Sequence, residues 1–417
     1  MINKDLIKLL IAEYQREASN IRLINRNYAI EDELNYVFVG LRRAGKSYLM
    51  FQQIQQLLKK GHSIDEILYF NFEDDRLANL ETSDLDLIKI CYEEMYDHKP
   101  VFFLDEIQIV PNWEKFARRL ADQNYRVYIT GSNAKMLSSE IATTLGGRYM
   151  IQNVYPFSFR EFLTSVGINV NEKNALFHFR GEINKAFETY FRFGGLPEAL
   201  KVENKREWLS NLYQKVFFGD LISRYQIRND FAMRVLIRKL AESVRQPSSF
   251  SRLASIVSAS GKKITTDTVI DYLEYLKESW LIFSMENFAA KLADKESNKK
   301  HYFIDNGILN LFLLDPQTSL LENLVAIQLR QLYGNELYYY HSGAEVDFYL
   351  PEMQLAVQAC YSLNDVETYT REINGLLQLT GRVNVKKMLI ITKDEERVIS
   401  ENGVEIDVVP IWKWLLS

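Results

Sequence analysis

Cysteine, proline, histidine and glycine are all scarce, with 2 Cys, 8 Pro, 5 His and 18 Gly in 417 residues. The two cysteines, Cys91 and Cys360, lie far apart, and neither a C-x-x-C nor a histidine cluster accompanies them. That pattern excludes a disulfide framework, offers no zinc site and suits a reducing cytoplasm. With so few Gly and Pro, loops should be few and helices long. No run of about eighteen apolar residues occurs, and Met1-Ile2-Asn3-Lys4-Asp5 opens a polar-apolar helical pattern without a signal-peptide core. A cytoplasmic location is therefore expected, and secretion or membrane spanning is not. Surplus positive charge is missing too. The 50 Lys+Arg and 55 Asp+Glu give a net charge of -5 and a pI near 5.8, so any contact with nucleic acid or acidic lipid must be local. What is plentiful is core material: 47% hydrophobic residues, including 24 Tyr and 24 Phe. A chain of this length supports two or three globular domains of mixed α/β type.

Residues 1 to 30 read as an amphipathic helix, with Leu6, Leu9, Leu10 and Tyr14 at helical spacing. Apolar strands then alternate with helices: Asn35 to Gly40, Ile67 to Phe72, Val101 to Leu104, Val127 to Thr130 and Tyr149 to Val154. This is the pattern of a mainly parallel sheet covered on both faces, with ligands at its carboxyl edge. Directly after the first strand stand Gly40-Leu41-Arg42-Arg43-Ala44-Gly45-Lys46-Ser47, followed by Tyr48, a complete G-x-x-x-x-G-K-[ST]. Glycines at both ends let backbone N–H groups curl around phosphate, Lys46 can reach the β- and γ-phosphates, and Ser47 can ligate Mg²⁺. The third strand ends in Asp105-Glu106. Asp105 suits the Mg²⁺ shell, and Glu106 suits the base that polarises the attacking water. After the fourth strand come Gly131-Ser132-Asn133, where Ser132 or Asn133 could sense the γ-phosphate or simply cap the helix starting near Ala134. ATP and Mg²⁺ are the expected cofactors. Glu73, Asp74 and Asp75 also follow a strand end and read as a solvated acidic turn.

Loop, acidic strand end and Thr-Gly-Ser strand, together with Leu145-Gly146-Gly147-Arg148 and Pro156-Phe157-Ser158-Phe159-Arg160-Glu161-Phe162, resemble the prokaryotic AAA+ ATPases that carry a C-terminal domain of unknown function 4143. The resemblance covers nearly the whole chain. It implies that Arg148, in the Gly-Arg before the P-[LF]-S-F-x-E-[FL] segment, is a γ-phosphate sensor or finger arginine, acting in its own chain or across an oligomer interface. A structural pairing with a carboxylate suits a guanidinium equally. AAA+ relatives often form rings, so a homo-oligomer is a candidate state.

The fold class expected is thus α/β: a P-loop NTPase parallel sheet of AAA+ type in residues 1–155, a helical lid in 156–230, a winged-helix-like segment in 231–300 and a nuclease-like α/β domain in 301–417. Within the lid, Arg192-Phe193-Gly194-Gly195-Leu196-Pro197-Glu198 reads as a turn between helices. Within the third segment, helical patterns Ser249 to Ser258 and Thr266 to Glu278 precede an apolar strand, Trp280 to Met285. Between Arg224 and Lys263 nine Lys/Arg face two acids, a patch able to neutralise DNA phosphates, although Asp271, Glu274 and Glu278 on the presumed recognition helix oppose it.

From Leu320 the order helix, strand (Leu337 to His341), strand (Ala344 to Tyr349), strand (Leu355 to Cys360), helix from Glu367, strand (Met388 to Thr392) resembles PD-(D/E)xK nucleases. In active members an acid equivalent to Asp347 and an E-x-K on the next strand hold metal and orient water. Here Gln358-Ala359-Cys360 stand at the E-x-K positions, so no nuclease activity is expected, and Glu322 with Asp347 reads as a structural remnant. The function expected is an ATPase that uses Mg²⁺-dependent hydrolysis to move its C-terminal module, on DNA or on a protein partner. The alternative is a nucleotide-dependent protein-interaction switch with little turnover.

Overall fold

The computed structural model describes residues 3–77, 80–132, 143–170 and 178–417, and the chain divides into two compact units, Met1–Tyr155 and Pro156–Ser417. In the first unit five parallel strands form a sheet in the order β2-β3-β4-β1-β5. These are β1 (Asn35–Val39), β2 (Ile67–Asn71), β3 (Val101–Asp105), β4 (Val127–Gly131) and β5 (Tyr149–Asn153). The central three are buried along almost their whole length, as continuous apolar runs in a doubly covered sheet require. Helices α1 (Lys4–Asn20), α2 (Lys46–Lys59), α3 (Thr82–Met95) and α4 (Trp113–Asp122) supply the cover.

The N-terminal helix is shorter than its apolar spacing suggests and stops at Asn20. Beyond it the backbone is held by tertiary bonds instead of helical ones: Arg26 N–H donates to Gln52 Oε1 at 2.7 Å, and Gln52 Nε2 returns a bond to Arg26 O at 2.9 Å.

The second unit begins with helices Phe159–Ser165, Arg180–Phe193 and Lys205–Lys215, the last running into a π-helix, Val216–Ser223. Gly194 and Gly195 end the second helix, and a Cβ at Gly195 would lie 2.1 Å from Phe157 O. This turn is therefore also a point of close backbone packing, which only glycine permits. Helices Asp230–Glu242, Phe250–Ala259 and Thr266–Glu278 follow, with a short strand β6 (Ser248–Ser249) between the first two. Strand β7 (Ile282–Asn287) starts two residues later than its apolar run, because Trp280 leaves the preceding helix in a left-handed conformation at φ 58°.

Strands β6, β7 and β8 (Asn298–Phe303) join β9 (Tyr338–His341), β10 (Glu345–Leu350), β11 (Leu355–Ala359), β12 (Lys387–Thr392), β13 (Arg397–Glu401) and β14 (Val404–Pro410) in one sheet, ordered β13-β14-β12-β11-β10-β9-β7-β8-β6. A boundary at 300/301 consequently falls inside β8, and the β7–β9 pairing at Glu286 and Tyr338 carries the sheet across it. Strands β13 and β14 extend the tail beyond the sequence reading, although alternation was there to see: Ile406 and Val408 are buried while Glu405 is exposed.

Candidate nucleotide site in the N-terminal unit

The loop after β1 is built so that its backbone, and not its side chains, encloses a space. Gly45 takes φ 98° at the start of α2, where a side chain would be strained. A Cβ at Gly40 would meet Val154 O at 2.1 Å, so that position is closed to any larger residue. Leu41 and Ala44 turn into the core, whereas Arg43 is exposed and Arg42 reaches Glu73, with Nη1 3.2 Å from Oε1. Tyr48 stands exposed on the first turn of α2. Lys46 is 4% exposed, and its ammonium donates to Gly40 O and Leu41 O at 3.3 Å each. An amine at this depth needs anionic company, and Glu106 provides it at 3.6 Å.

Sheet order explains how the acids come to face the loop. Strand β4 lies between β1 and β3, so the loop and the Asp105-Glu106 end are two strand spacings apart, about 10 Å. Across that backbone spacing the side chains meet, Lys46 reaching Glu106 and Ser47 reaching Asp105. Asp105 is wholly enclosed: Tyr69 donates its hydroxyl to Oδ2 at 2.7 Å, Thr130 donates to Oδ1, and Ser47 also hydrogen-bonds the carboxylate. Burial and the neighbouring Glu106 charge push the Asp105 carboxyl above its ordinary range, against those three donors. For Glu106 burial also pushes upward, but the Lys46 ammonium, the Gln108 amide, the Arg42 guanidinium and the Ser132 N–H outweigh it and hold the carboxyl low. Glu106 is therefore an anion aimed at the loop. Its backbone sits at φ 56°, a left-handed conformation unusual for a glutamate, stabilised by its N–H donating to Thr130 Oγ1 at 2.9 Å.

At the tip of β4, Ser132 N–H donates to Glu106 Oε2 at 3.3 Å, while the buried Ser132 hydroxyl has no hydrogen-bond partner. A buried hydroxyl left unsatisfied in a site otherwise closely bonded is what a missing ligand leaves behind. Asn133 lies outside the described residues. The orphaned hydroxyl, the buried ammonium and the glycine-lined loop fit a nucleoside triphosphate, and Ser47 beside Asp105 fits a hard divalent cation.

Arg148 is not part of this constellation. It precedes β5, which pairs in register with β1 so that Tyr149 faces Asn35 and Asn153 faces Val39. The loop follows Val39, so Arg148 occupies the opposite end of the sheet, five residues or about 16 Å away along the strand. There its guanidinium pairs with Asp122, and Nη1 donates to Gly146 O at 3.2 Å. In this structure its guanidinium is therefore engaged away from the loop of its own chain. Of the acids after β2, Glu73 pairs with Arg42, and Asp74 accepts from Tyr14 at 2.6 Å and pairs with Arg76.

Three residues that shape the site were not singled out from the sequence. Thr130 bridges Asp105 and Glu106, and a lone hydroxyl at the end of an apolar strand was its available signal. Gln108 donates to Glu106. Arg26 is buried behind the loop and donates from Nη1 to Ala44 O at 3.0 Å; it comes from irregular chain, where periodicity says nothing.

In the C-terminal unit Glu322 and Asp347 do meet, but at a lysine from a strand where none was expected. Lys300, on β8, lies 3.1 Å from Glu322 Oε1 and 3.0 Å from Asp347 Oδ1. Cys360, at the position of the E-x-K lysine, is not part of this contact, and Lys300 reaches both carboxylates from elsewhere in the sheet. Burial pushes the Cys360 thiol up to about 11, and it donates to Ser362 O, so it is no nucleophile. Among the described residues no three His, Cys, Asp or Glu side chains are grouped to hold a metal, and no helix is long and apolar enough to cross a membrane.

Comparison with known proteins agrees with the geometry. A family model described as an AAA domain matches residues 32–163, and one described as a domain of unknown function (DUF8612) matches residues 184–319. The latter stands where the motifs suggested domain of unknown function 4143. MJ1544 of Methanocaldococcus jannaschii is 34% identical over 441 residues, covering 100% of this chain and 97% of that protein. A Haemophilus influenzae protein is 29% identical over 393 residues, covering 91% and 94%. The structure of the Walker-type ATPase PABY2304 of Pyrococcus abyssi is 14% identical over 75% of this chain and 96% of that one, with a TM-score of 0.39. Identity along the full length of both chains settles kinship: the protein belongs to the family of MJ1544, and its N-terminal unit is a nucleotide-binding P-loop ATPase domain of the AAA class.

Proposed function

We propose that the protein binds ATP with Mg²⁺ at the loop Gly40–Ser47, hydrolyses it with Glu106 as base, and uses the cycle to reposition its C-terminal unit on a macromolecular partner. The observation that carries this reading is the anionic Glu106 held 3.6 Å from Lys46 across a glycine-lined loop. When nucleotide enters, its phosphates compete with Glu106 for the Lys46 ammonium, freeing the carboxylate to take a proton from water. Ser132, with its unpartnered hydroxyl, suits contact with the γ-phosphate. Bound Mg²⁺ would neutralise charge developing between the β- and γ-phosphates, held by Ser47 and Asp105.

A finger role for Arg148 requires a second copy of the chain, because its own loop lies at the other end of the sheet. Mixing Glu106→Gln with Arg148→Ala subunits tests this: activity recovered in the mixture supports a shared site, and activity no greater than that of either variant alone refutes it.

For the partner, the three helices and the strands β6, β7 and β8 follow a winged-helix order, which supports the winged-helix reading. Of the nine basic residues between Arg224 and Lys263, three are ion-paired: Arg224 with Asp220, Arg234 with Asp230 and Lys239 with Glu242. The other six, Arg228, Arg238, Arg245, Arg252, Lys262 and Lys263, are exposed. Three of them, Arg252, Lys262 and Lys263, favour phosphate contact through the helix Phe250–Ala259 and the turn after it. The third helix instead exposes Asp267, Asp271 and Glu274, which favours the second reading, a switch that grips a protein. Steady-state hydrolysis by wild type, Lys46→Ala and Glu106→Gln, with and without single- and double-stranded DNA, tests the proposal. Turnover lost in both variants and raised by DNA supports a DNA-dependent ATPase. Nucleotide binding without turnover or DNA response supports the protein switch.

A further inference from the structure

The C-terminal unit contains a buried charge cluster that the ATPase reading does not use. Glu322 belongs to the helix Gln317–Tyr333, Asp347 to β10 and Lys300 to β8, so three separate elements converge on one point. The side chains of Lys300 and Glu322 are 3% and 4% exposed, and that of Asp347, at 16%, opens on a cavity of about 560 Å³ lined also by Arg245, Glu345, Arg371 and Glu372. Burying a charge at that depth is tolerated only with close partners. Here the lysine ammonium touches both carboxylates, at 3.1 and 3.0 Å, and lies 5.8 Å from the centre of the Tyr339 ring.

The other bonds of the cluster are also made. Tyr302 donates its hydroxyl to Glu322 Oε1 at 2.8 Å, and Ala359 N–H donates to Asp347 Oδ2 at 3.1 Å. Gln358, the amide that stands where a carboxylate would have been a ligand, is turned to another task. Its Oε1 accepts from Asp347 N–H at 2.9 Å, and its Nε2 donates to Glu345 O at 3.1 Å. It thus bridges the backbone of β10, with its oxygen engaged by the Asp347 N–H. A hard divalent cation wants about six oxygens at roughly 2.0–2.1 Å in octahedral array. One oxygen of each carboxylate, Glu322 Oε1 and Asp347 Oδ1, is already shared with an ammonium, and a second cation beside it would be repelled.

We propose that Lys300 is the resident cation of this cluster, a covalently tethered single positive charge occupying the place between Glu322 and Asp347 where a divalent ion would otherwise sit. The C-terminal unit then needs no metal to hold β8, β10 and the helix Gln317–Tyr333 together. It also supports no metal-dependent phosphodiester cleavage at the adjoining cavity. The inference is independent of the ATPase reading, since it concerns different residues in a different unit.

Terbium luminescence on the full-length protein tests it, because Tyr302, hydrogen-bonded to Glu322, is placed to sensitise a lanthanide held by that carboxylate. Emission from wild type should be unchanged by Glu322→Gln or Asp347→Asn, because no ion is held there. Lys300→Ala, if its circular dichroism matches wild type, should gain a saturable component that Glu322→Gln removes, at least about tenfold tighter than any wild-type binding sensitive to that change. A wild-type component lost in both Glu322→Gln and Asp347→Asn overturns the proposal. So does a folded Lys300→Ala that gains nothing. Should Lys300→Ala not fold, the comparison of wild type with the two acid variants still decides the matter.

Discussion

Replacing Glu106 with glutamine separates binding from turnover, because this carboxylate restrains Lys46 in the nucleotide-free state and is the only base offered to water at the γ-phosphate position among the described residues. At 3.6 Å the gross attraction between two unit charges is about 4–5 kcal/mol for an effective dielectric constant near 20. Desolvation of two nearly buried groups offsets most of it, leaving a net restraint on Lys46 of about 1 kcal/mol. Glu106→Gln should therefore bind ATP about fivefold more tightly, since the amide no longer competes with the phosphates for the ammonium. Loss of a general base lowers turnover by roughly 10²–10⁴-fold, equivalent to about 2.7–5.5 kcal/mol of barrier. Equilibrium binding of a fluorescent ATP analogue, measured beside steady-state phosphate release on the same preparation, reads both quantities. Turnover within threefold of wild type would refute the assignment of Glu106 as base. Weakened nucleotide binding would refute the claim that it competes for Lys46.

Two further outcomes follow from the same coordinates. Thr130→Val removes the donor to Asp105 and leaves the Glu106 N–H without its acceptor; the cost should be about 2–3 kcal/mol, read as a lower urea midpoint at unchanged m-value. In the C-terminal unit, burial pushes the Asp305 carboxyl up to about 6, net of the Gly195, Ile308 and Gly307 N–H donors that pull it down. An acid whose pKa is higher folded than unfolded holds its proton better in the native state. Its contribution to stability is full below about pH 4 and is lost as pH rises to about 6, a change of about 2–3 kcal/mol. Relative to Asp305→Asn, wild type should lose unfolding free energy across that window, and parallel profiles would contradict it.

Motifs that act through contiguous backbone were legible in the sequence. The loop from Gly40 to Ser47 encloses its space by local conformation, and the apolar runs that became β1 to β4 are stable as buried strands of a covered sheet, whereas β5 at the edge exposes Met150 and Ile151. Even the adjacency of Asp105 and Glu106 to the loop could be expected, since parallel strands bring their carboxyl ends to one edge. Other features rest on which strand neighbours which, and linear order is silent on that. The insertion of β4 between β1 and β3 sets the width of the site and puts Thr130 under both acids. The register of β5 against β1 carries Arg148 away from the loop of its own chain.

The same holds in the tail. The E-x-K spacing places a lysine two residues after Gln358, because covalent spacing is what a sequence displays. The ammonium instead arrives from β8, 58 positions earlier, because β8, β10 and a helix pack against one another and two buried carboxylates required a cation. The chemistry available and the elements that carry it are written in the order of residues. Which charges meet depends on the packed fold, because the partner of a buried ion is set by burial and packing in space and not by distance along the chain.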